Sequence, residues 1–399
     1  MEYLPYGKQS ITETDLAAVR AALLAPFLTT GPKVPEFETA FASRVGAAHG
    51  VACSNGTAAL HIASLALNVG PGDIVLAPSQ SFLASANGPG YCGARIAFMD
   101  CDPNSGLVTR HSFLQALERA GGKAKAAVIV HLNGEHADMA GISAEAAPRG
   151  IALIEDACHG LGTRFAADGG MAEIGSCRYS ALACFSLHPV KTITMGEGGM
   201  VTTNDGEMAR RMRLFRSHGL ERDQSRFARK DLAFDADGAV NPWYYEMAEP
   251  GYNYRATDFA CALGLSQLSQ LDGFVERRKA LKSGYDRLFA GFNRHVSVVP
   301  TAQDCDPCRH LYPVLIDFAA LATTRSQVMA KLHEQGIGSQ VHYIPIHWQP
   351  WYKAQNPGLS LPGAEHYYSR ALSLPMYALL QDEDPGRVVE ALRHALGKA

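Results

Sequence analysis

Residues 50–77 read GVACSNGTAALHIASLALNVGPGDIVLA, and the architecture is decided by how this run is parsed. Residues 50–53 and 74–77 are short apolar runs of strand length, while 57–68 between them carry apolar side chains at helical spacing. A strand, a helix and a second strand in that order make one unit of a parallel sheet. The pattern continues outward, with further candidate strands at 95–100, 126–131, 151–155, 179–186 and 200–203 and another amphipathic stretch at 110–120. The alternation predicts an α/β fold whose mainly parallel sheet is covered on both faces and takes its ligands at the carboxyl ends of the strands.

Residues 257–289 are proline-free and rich in Leu, Ala, Arg and Lys, which predicts one long helix leaving this first unit. Beyond about residue 295 a strand at 311–317, a helix at 324–335, a strand at 338–343 and a terminal helix at 385–395 read as a smaller α/β unit. The expected division is a large domain with an N-terminal arm over 1–255, and a connecting helix with a small C-terminal domain over 256–399. Residues 221–250 read as a long loop, a length that in compact domains is functional or disordered.

Composition narrows the function. The 36 basic and 39 acidic residues give a net charge of −3, with no basic block to draw nucleic acid or an anionic membrane. No apolar run approaches the roughly 18 residues needed to cross a bilayer, and the N-terminus lacks a leader pattern, so the cytoplasm is the expected location. The nine cysteines are odd in number and scattered, as free thiols are. Cys305 and Cys308 stand alone without a second pair, and His342 and His347 straddle Pro345 at a spacing that suits no metal, so no metal site is expected. Neither a dinucleotide fingerprint nor a P-loop sequence is present.

Three segments can carry chemistry. Gly56-Thr57-Ala58-Ala59 follows a strand and opens a helix, where free N–H groups suit a phosphate; a βα turn capped by Ser54 or Thr57 explains the same residues. Glu155-Asp156 ends an apolar strand and would bring carboxylates to the sheet edge, to meet a cation or to cap a surface helix. Ser186-Leu187-His188-Pro189-Val190-Lys191 leaves another strand and is followed by Gly196-Glu197-Gly198-Gly199, where three glycines point to a close backbone approach. A lysine held there can be desolvated into a nucleophile, although a solvated surface lysine is the commoner fate. A phosphate cradle, an acid at a strand end and then a lysine, in that order, match the needs of pyridoxal 5'-phosphate.

Ser54-Asn55-Gly56-Thr57-Ala58-Ala59-Leu60, Ile154-Glu155-Asp156-Ala157, the segment ending in Lys191 and the glycine-rich turn stand in the order found in the DegT/DnrJ/StrS-type nucleotide-sugar aminotransferases, which the chain resembles from about residue 5 to residue 380. The resemblance implies the aspartate-aminotransferase-like fold of pyridoxal-phosphate enzymes and a homodimer with shared active sites. It also implies that Lys191 forms the Schiff base and that Asp156 contacts the pyridine nitrogen. Thr57, Ala58 and Ser186 would bind the phosphate, Asn253 would reach it from the neighbouring subunit, His159 would lie beside the ring and Phe82 would stack on it. Further stretches, residues 5–11, 27–32, 216–219, 251–255 and 341–345, resemble the C4 aminotransferases of pseudaminic-acid biosynthesis, which aminate a UDP-4-keto-6-deoxy-N-acetylhexosamine with L-glutamate. On the same ground Tyr6, His188, Arg255, His342 and Tyr343 become candidate substrate contacts; ordinary packing accounts for them equally well. Asn133-Gly134-Glu135 and Ser79-Gln80-Ser81 depart from the usual family pattern.

Rival readings remain open at this level. A sugar dehydratase on the same fold would carry histidine in place of Lys191, and a non-catalytic regulator would have no use for Lys191, Asp156 and Ser186 together. Among aminotransferases, a dTDP or GDP sugar or the D-xylo epimer of the UDP sugar is the alternative substrate.

Overall fold

The computed structural model describes residues 2–302 and 304–397. Its centre is a seven-stranded sheet made of β1 (His49–Cys53), β2 (Ile74–Pro78), β3 (Arg95–Met99), β4 (Ala126–Val130), β5 (Ala152–Asp156), β6 (Leu182–Ser186) and β7 (Gly199–Thr203), in the order β1-β7-β6-β5-β4-β2-β3. Strands β3, β2, β4, β5 and β6 pair in parallel, and β7 is antiparallel to both β6 and β1. Only β7 is therefore reversed, so the other six strands deliver their carboxyl ends to one edge.

Helices cover both faces, which is why β4 is buried along its whole length and carries only Ala, Val and Ile. Leu60, Ile62 and Ala63 of the helix Gly56–Ala66 pack with Val75, Val128 and Val201 on one face. Phe113, Ala116 and Leu117 of the helix Arg110–Arg119 pack with Leu76, Met99 and Ile129 on the other. A three-stranded antiparallel sheet, Val296–Val298, Tyr312–Ile316 and Ala371–Leu374, has its own core with the helices Arg325–Glu334 and Asp384–Ala395. Among the described residues no helix is long and apolar enough to cross a membrane, and no cluster of metal-ligating side chains occurs. All nine cysteines are free thiols; Cys92, Cys158 and Cys305 are partly exposed and the others buried.

Several expectations are corrected. The stretch 257–289 is two helices, Asp258–Ser269 and Leu271–Phe289, parted at Gln270. Buried Asp15 draws in the side chains at the junction, accepting from Ser266 Oγ at 2.6 Å, Gln267 Nε2 at 2.8 Å and Gln270 Nε2 at 3.0 Å. Residues 338–343 form no strand: Gly338 donates to Leu4 of the N-terminal arm at 2.7 Å, Gln340 makes a single bridge to Ser373, and the chain then runs on into the cleft. The loop 221–250 contains a two-residue ladder, Leu220–Glu221 with Glu246–Met247, and a short helix, Lys230–Ala233.

Asn133-Gly134-Glu135, where the sequence departs from the family pattern, is a joint between the large sheet and the segment that enters the small one. Gly134 sits at φ 91°, and a Cβ there would meet Cys308 O at 2.3 Å. Asn133 O accepts from His310 N at 3.0 Å, and Glu135 Oε1 lies 2.6 Å from Arg309 Nη2 in an ionic contact outside hydrogen-bond geometry. Both side chains of that ion pair are buried. Removing one partner of such a pair strands the other charge, so Glu135→Gln should lose about 3–5 kcal/mol of stability. The change is read from the urea midpoint, and a midpoint equal to wild type would show that the pair is no joint.

Candidate active site

The carboxyl ends of β1, β4, β5 and β6 open on a cleft of about 930 Å³. Its walls include Thr57, Ala58, Phe82, Asp156, His159, Ser186, His188, Lys191, Tyr6, His342 and Tyr343, so eleven of the expected site residues meet there.

The end of β1 leads directly into the helix Gly56–Ala66. Asn55, rather than Ser54 or Thr57, is its cap: Asn55 Oδ1 accepts from Ala58 N at 2.8 Å. That leaves the amides of Gly56 and Thr57, which have no acceptor within the helix, at its positive end. Gly56 lies against the end of β6, and a Cβ at that position would come within 2.8 Å of Ser186 Cβ. The glycine-rich turn closes the other side. A Cβ on Gly199 would lie 2.3 Å from Asn55 O, and Gly196 has φ 80°. The close approach that three glycines implied is thus the backbone of residue 55.

At the end of β5 the two carboxylates part, as alternation along a strand requires. Glu155 is buried on one face, where it accepts from Ser180 Oγ and meets His131 Nε2 at 2.9 Å. Asp156 alone faces the cleft. Its Oδ2 accepts from Ser85 Oγ, which is bonded in turn to Ser81 Oγ at 2.6 Å, and its Oδ1 accepts from Cys158 N at 3.2 Å. Each oxygen keeps a lone pair for a further donor. Lys191 sits on a loop held by Lys191 N to His188 O at 2.9 Å, Met195 N to Leu187 O at 2.9 Å and Leu187 N to Gly198 O at 2.8 Å. Burial lowers the pKa of its amine from the ordinary 10.5, against the opposing pull of Cys158 and Asp156.

The buried imidazoles around Lys191, those of His159, His310 and His342, are held neutral. Burial, then the nearby Lys191 charge, holds His159 well below its ordinary range and brings His342 down to about 3. His159 Nδ1 accepts from Asn133 N at 3.3 Å, so its proton is on Nε2 and is donated to Tyr343 Oη at 3.1 Å. His342 Nδ1 is bonded to Ser373 Oγ at 2.9 Å and its ring packs against Tyr6 at 5.5 Å. Phe82, 54% exposed and 5.8 Å from the Tyr343 ring, presents an open aromatic face.

Asn253 and Arg255 lie outside this cleft. Their segment runs along the end of the helix Gly206–Arg216, with Tyr252 N on Phe215 O at 2.7 Å and Tyr254 N on Arg216 O at 2.9 Å; Asn253 is exposed, and Arg255 Nη1 donates to Ser217 Oγ at 3.3 Å. Several lining residues were given no role of their own in the sequence: Asn55, Ser81, Glu197 and His310, with Ser85 behind Asp156. The capping rule could have found Asn55; nothing in the sequence pattern marks Ser85 as the partner of Asp156.

Residues 9–393 match the DegT/DnrJ/EryC1/StrS aminotransferase family. The chain belongs to that family. It is 34% identical over 394 residues to the spore coat polysaccharide biosynthesis protein SpsC of Bacillus subtilis (strain 168), covering 98% of this chain and 96% of that protein. In structure it is similar to PseC of Helicobacter pylori, an aminotransferase involved in the biosynthesis of pseudaminic acid, with a TM-score of 0.86, 27% identity and 99% of each chain covered. It is equally similar to the pyridoxal-phosphate form of the putative sugar aminotransferase Spr1654 of Streptococcus pneumoniae, with a TM-score of 0.86, 25% identity and 99% of this chain covered against 98% of that one.

As a member of this family the protein is a pyridoxal-phosphate-dependent sugar aminotransferase with the corresponding fold. Its own residues fit the cofactor: a helix N-terminus and a hydroxyl for the phosphate, a carboxylate with free lone pairs, and a half-buried amine share one cavity. The amine should titrate accordingly. Competitive acetylation of the cofactor-free protein is expected to place the Lys191 midpoint below 10.5, and lower again in Asp156→Asn, because the carboxylate favours the protonated amine. A midpoint at or above 10.5 would contradict the burial that sets it.

Proposed function

We propose that the chain transfers an amino group from L-glutamate to C4 of a UDP-4-keto-6-deoxy-N-acetylhexosamine of L-arabino configuration, the amination step of pseudaminic-acid biosynthesis. The observation that carries the chemistry is the Lys191 amine, lowered in basicity, in one cavity with Asp156 and the start of the helix Gly56–Ala66. The likeness to the Helicobacter pylori enzyme over 99% of both chains supports the substrate.

Pyridoxal phosphate, when bound, supplies an electron sink and carries the amino group from donor to acceptor. The Gly56 and Thr57 amides with Ser186 Oγ would hold its phosphate, with Ala58 in the wall behind them. Asp156 would keep the ring nitrogen protonated, and Phe82 and His159 would hold the ring. Lys191 Nζ would move a proton from Cα of glutamate to the cofactor, and in the second half of the cycle the same amine would carry one back from the cofactor to C4 of the sugar. Tyr6, His188, His342 and Tyr343 shape the substrate end of the cleft.

The active unit in this proposal is a homodimer. Asn253 and Arg255 lie on the outside of one chain and act on the cleft of a second copy, Asn253 on the phosphate and Arg255 on a substrate anion. Exposed Phe27, Leu28, Tyr252 and Phe259 support this arrangement, because they sit on two adjoining segments joined by the Thr29–Thr257 bridge and by Asp258 N on Leu28 O at 2.9 Å. The spore-coat relative, at 34% identity, favours a second reading in which the acceptor is another nucleotide-linked keto sugar.

Mass spectrometry of the loaded protein with L-glutamate and, separately, the L-arabino and D-xylo UDP-4-keto sugars tests the substrate. Product from the L-arabino compound alone is expected; product from the D-xylo compound alone moves the enzyme to another pathway, and none from either moves it to another nucleotide. Lys191→Ala should abolish turnover, and Asp156→Ala should lose most of it. An active Lys191→Ala protein would remove the lysine from its role, and near-normal rates in Asp156→Ala would do the same for the carboxylate.

A further inference from the structure

A second groove, of about 680 Å³, opens on the small sheet, with its own lining residues shared by no wall of the catalytic cleft. Three arginines from separate stretches line it: Arg294 ahead of the strand Val296–Val298, Arg325 in the first turn of the helix Arg325–Glu334, and Arg370 at the end of the helix Pro362–Arg370. His295 and His366 add two imidazoles, and Asp317 is the one carboxylate among the described lining residues. Asp317 Oδ1 is occupied by Ala320 N at 3.0 Å. Among the described residues none of the three guanidiniums has a carboxylate within 4.0 Å.

Two of these guanidiniums are held in place by the protein. Arg325 donates to Tyr368 O and lies 4.6 Å from the Tyr368 ring centroid and 5.7 Å from that of Phe318, and its Nε is buried with no partner. Arg370 donates to Pro103 O at 2.6 Å and to His366 O at 3.3 Å, which fixes it against the loop that follows β3. Burial lowers the pKa of both, against the opposing pull of Tyr368 on Arg325 and of Asp317 and Asp102 on Arg370. Fixed, partly desolvated guanidiniums favour an oxyanion that accepts from several N–H groups at once. A carboxylate offers two oxygens and one charge, whereas a phosphate offers three and nearly two, which suits a groove lined by three cations better.

We infer that this groove is a binding site, separate from the catalytic cleft, for a compact dianion of the phosphate class: inorganic phosphate or the terminal phosphate of a nucleotide. Arg325 and Arg370 are its fixed donors, and exposed Arg294 is the third. The positive end of the helix Arg325–Glu334 adds to the same field.

Isothermal titration of the cofactor-loaded protein at constant ionic strength, with inorganic phosphate in one arm and ADP in the other, separates the two sources. One saturable site per chain is expected in at least one arm, weakened roughly tenfold or more in Arg325→Gln, as for the loss of a charge-assisted pair. Arg294→Glu should weaken it similarly without touching the fold, since Arg294 is exposed and its hydrogen bond is to neighbouring His295. Saturation by phosphate identifies the free ion, and saturation by ADP alone identifies a nucleotide. No saturation at millimolar concentrations in either arm overturns the site, and so does binding that both variants leave unchanged, which would assign the anion to the catalytic cleft.

Discussion

Everything at the catalytic end of the large sheet depends on how near the first turn of the helix Gly56–Ala66 comes to the end of β6. Strand β7 lies between β1 and β6 in the sheet, and it begins with Gly199 at the edge where the other two end. A side chain at 199 would drive into the backbone of Asn55, and one at 56 would push the helix away from Ser186. With both positions reduced to hydrogen, unpaired amides and a hydroxyl converge from two different strands. The single reversed strand therefore brings the helix end and the Ser186 strand end to one point.

The electrostatics of the cleft follow from burial. His159, His310 and His342 are all held neutral, first by desolvation and then by the Lys191 charge. A ring of neutral imidazoles leaves one amine and one buried carboxylate as the groups that distinguish the site. None of these three buried imidazoles therefore competes with the Lys191 amine for a proton. The His159 tautomer is fixed by a backbone N–H at Asn133, so the joint between the two sheets also orients a side chain in the cleft.

Much of this was legible because the parallel strands are short, uninterrupted and apolar. All seven expected strands of the large sheet appear within a few residues of their expected bounds, and eleven candidate residues line one cleft. The failures have local causes. The break at Gln270 depends on Asp15, more than two hundred residues earlier, and periodicity cannot sense a distant hydrogen-bond acceptor. The run 338–343 has strand composition but finds only one bridging residue, Ser373, and Leu4 at its entry. Glu155 and Asp156 look alike in sequence and differ only in which face of the strand each one takes.

The cleft of one chain is better suited to the cofactor than to a nucleotide. Its described lining contains Lys191 and no arginine. A sugar nucleotide brings a diphosphate, whose charge calls for cationic donors that one chain does not place in this cavity. Arg255 directly follows the cleft-lining Tyr254 yet donates to Ser217 Oγ. In the homodimer proposed above, recognition of a nucleotide would be a property of surfaces brought together by assembly, while handling of the amino group would be built into the sheet edge. Blocks at strand ends are constrained by backbone contacts such as Gly56 on Ser186, and they identify the family; the surfaces that select the sugar answer to no such contact, so the same sequence speaks clearly about the cofactor and faintly about the substrate.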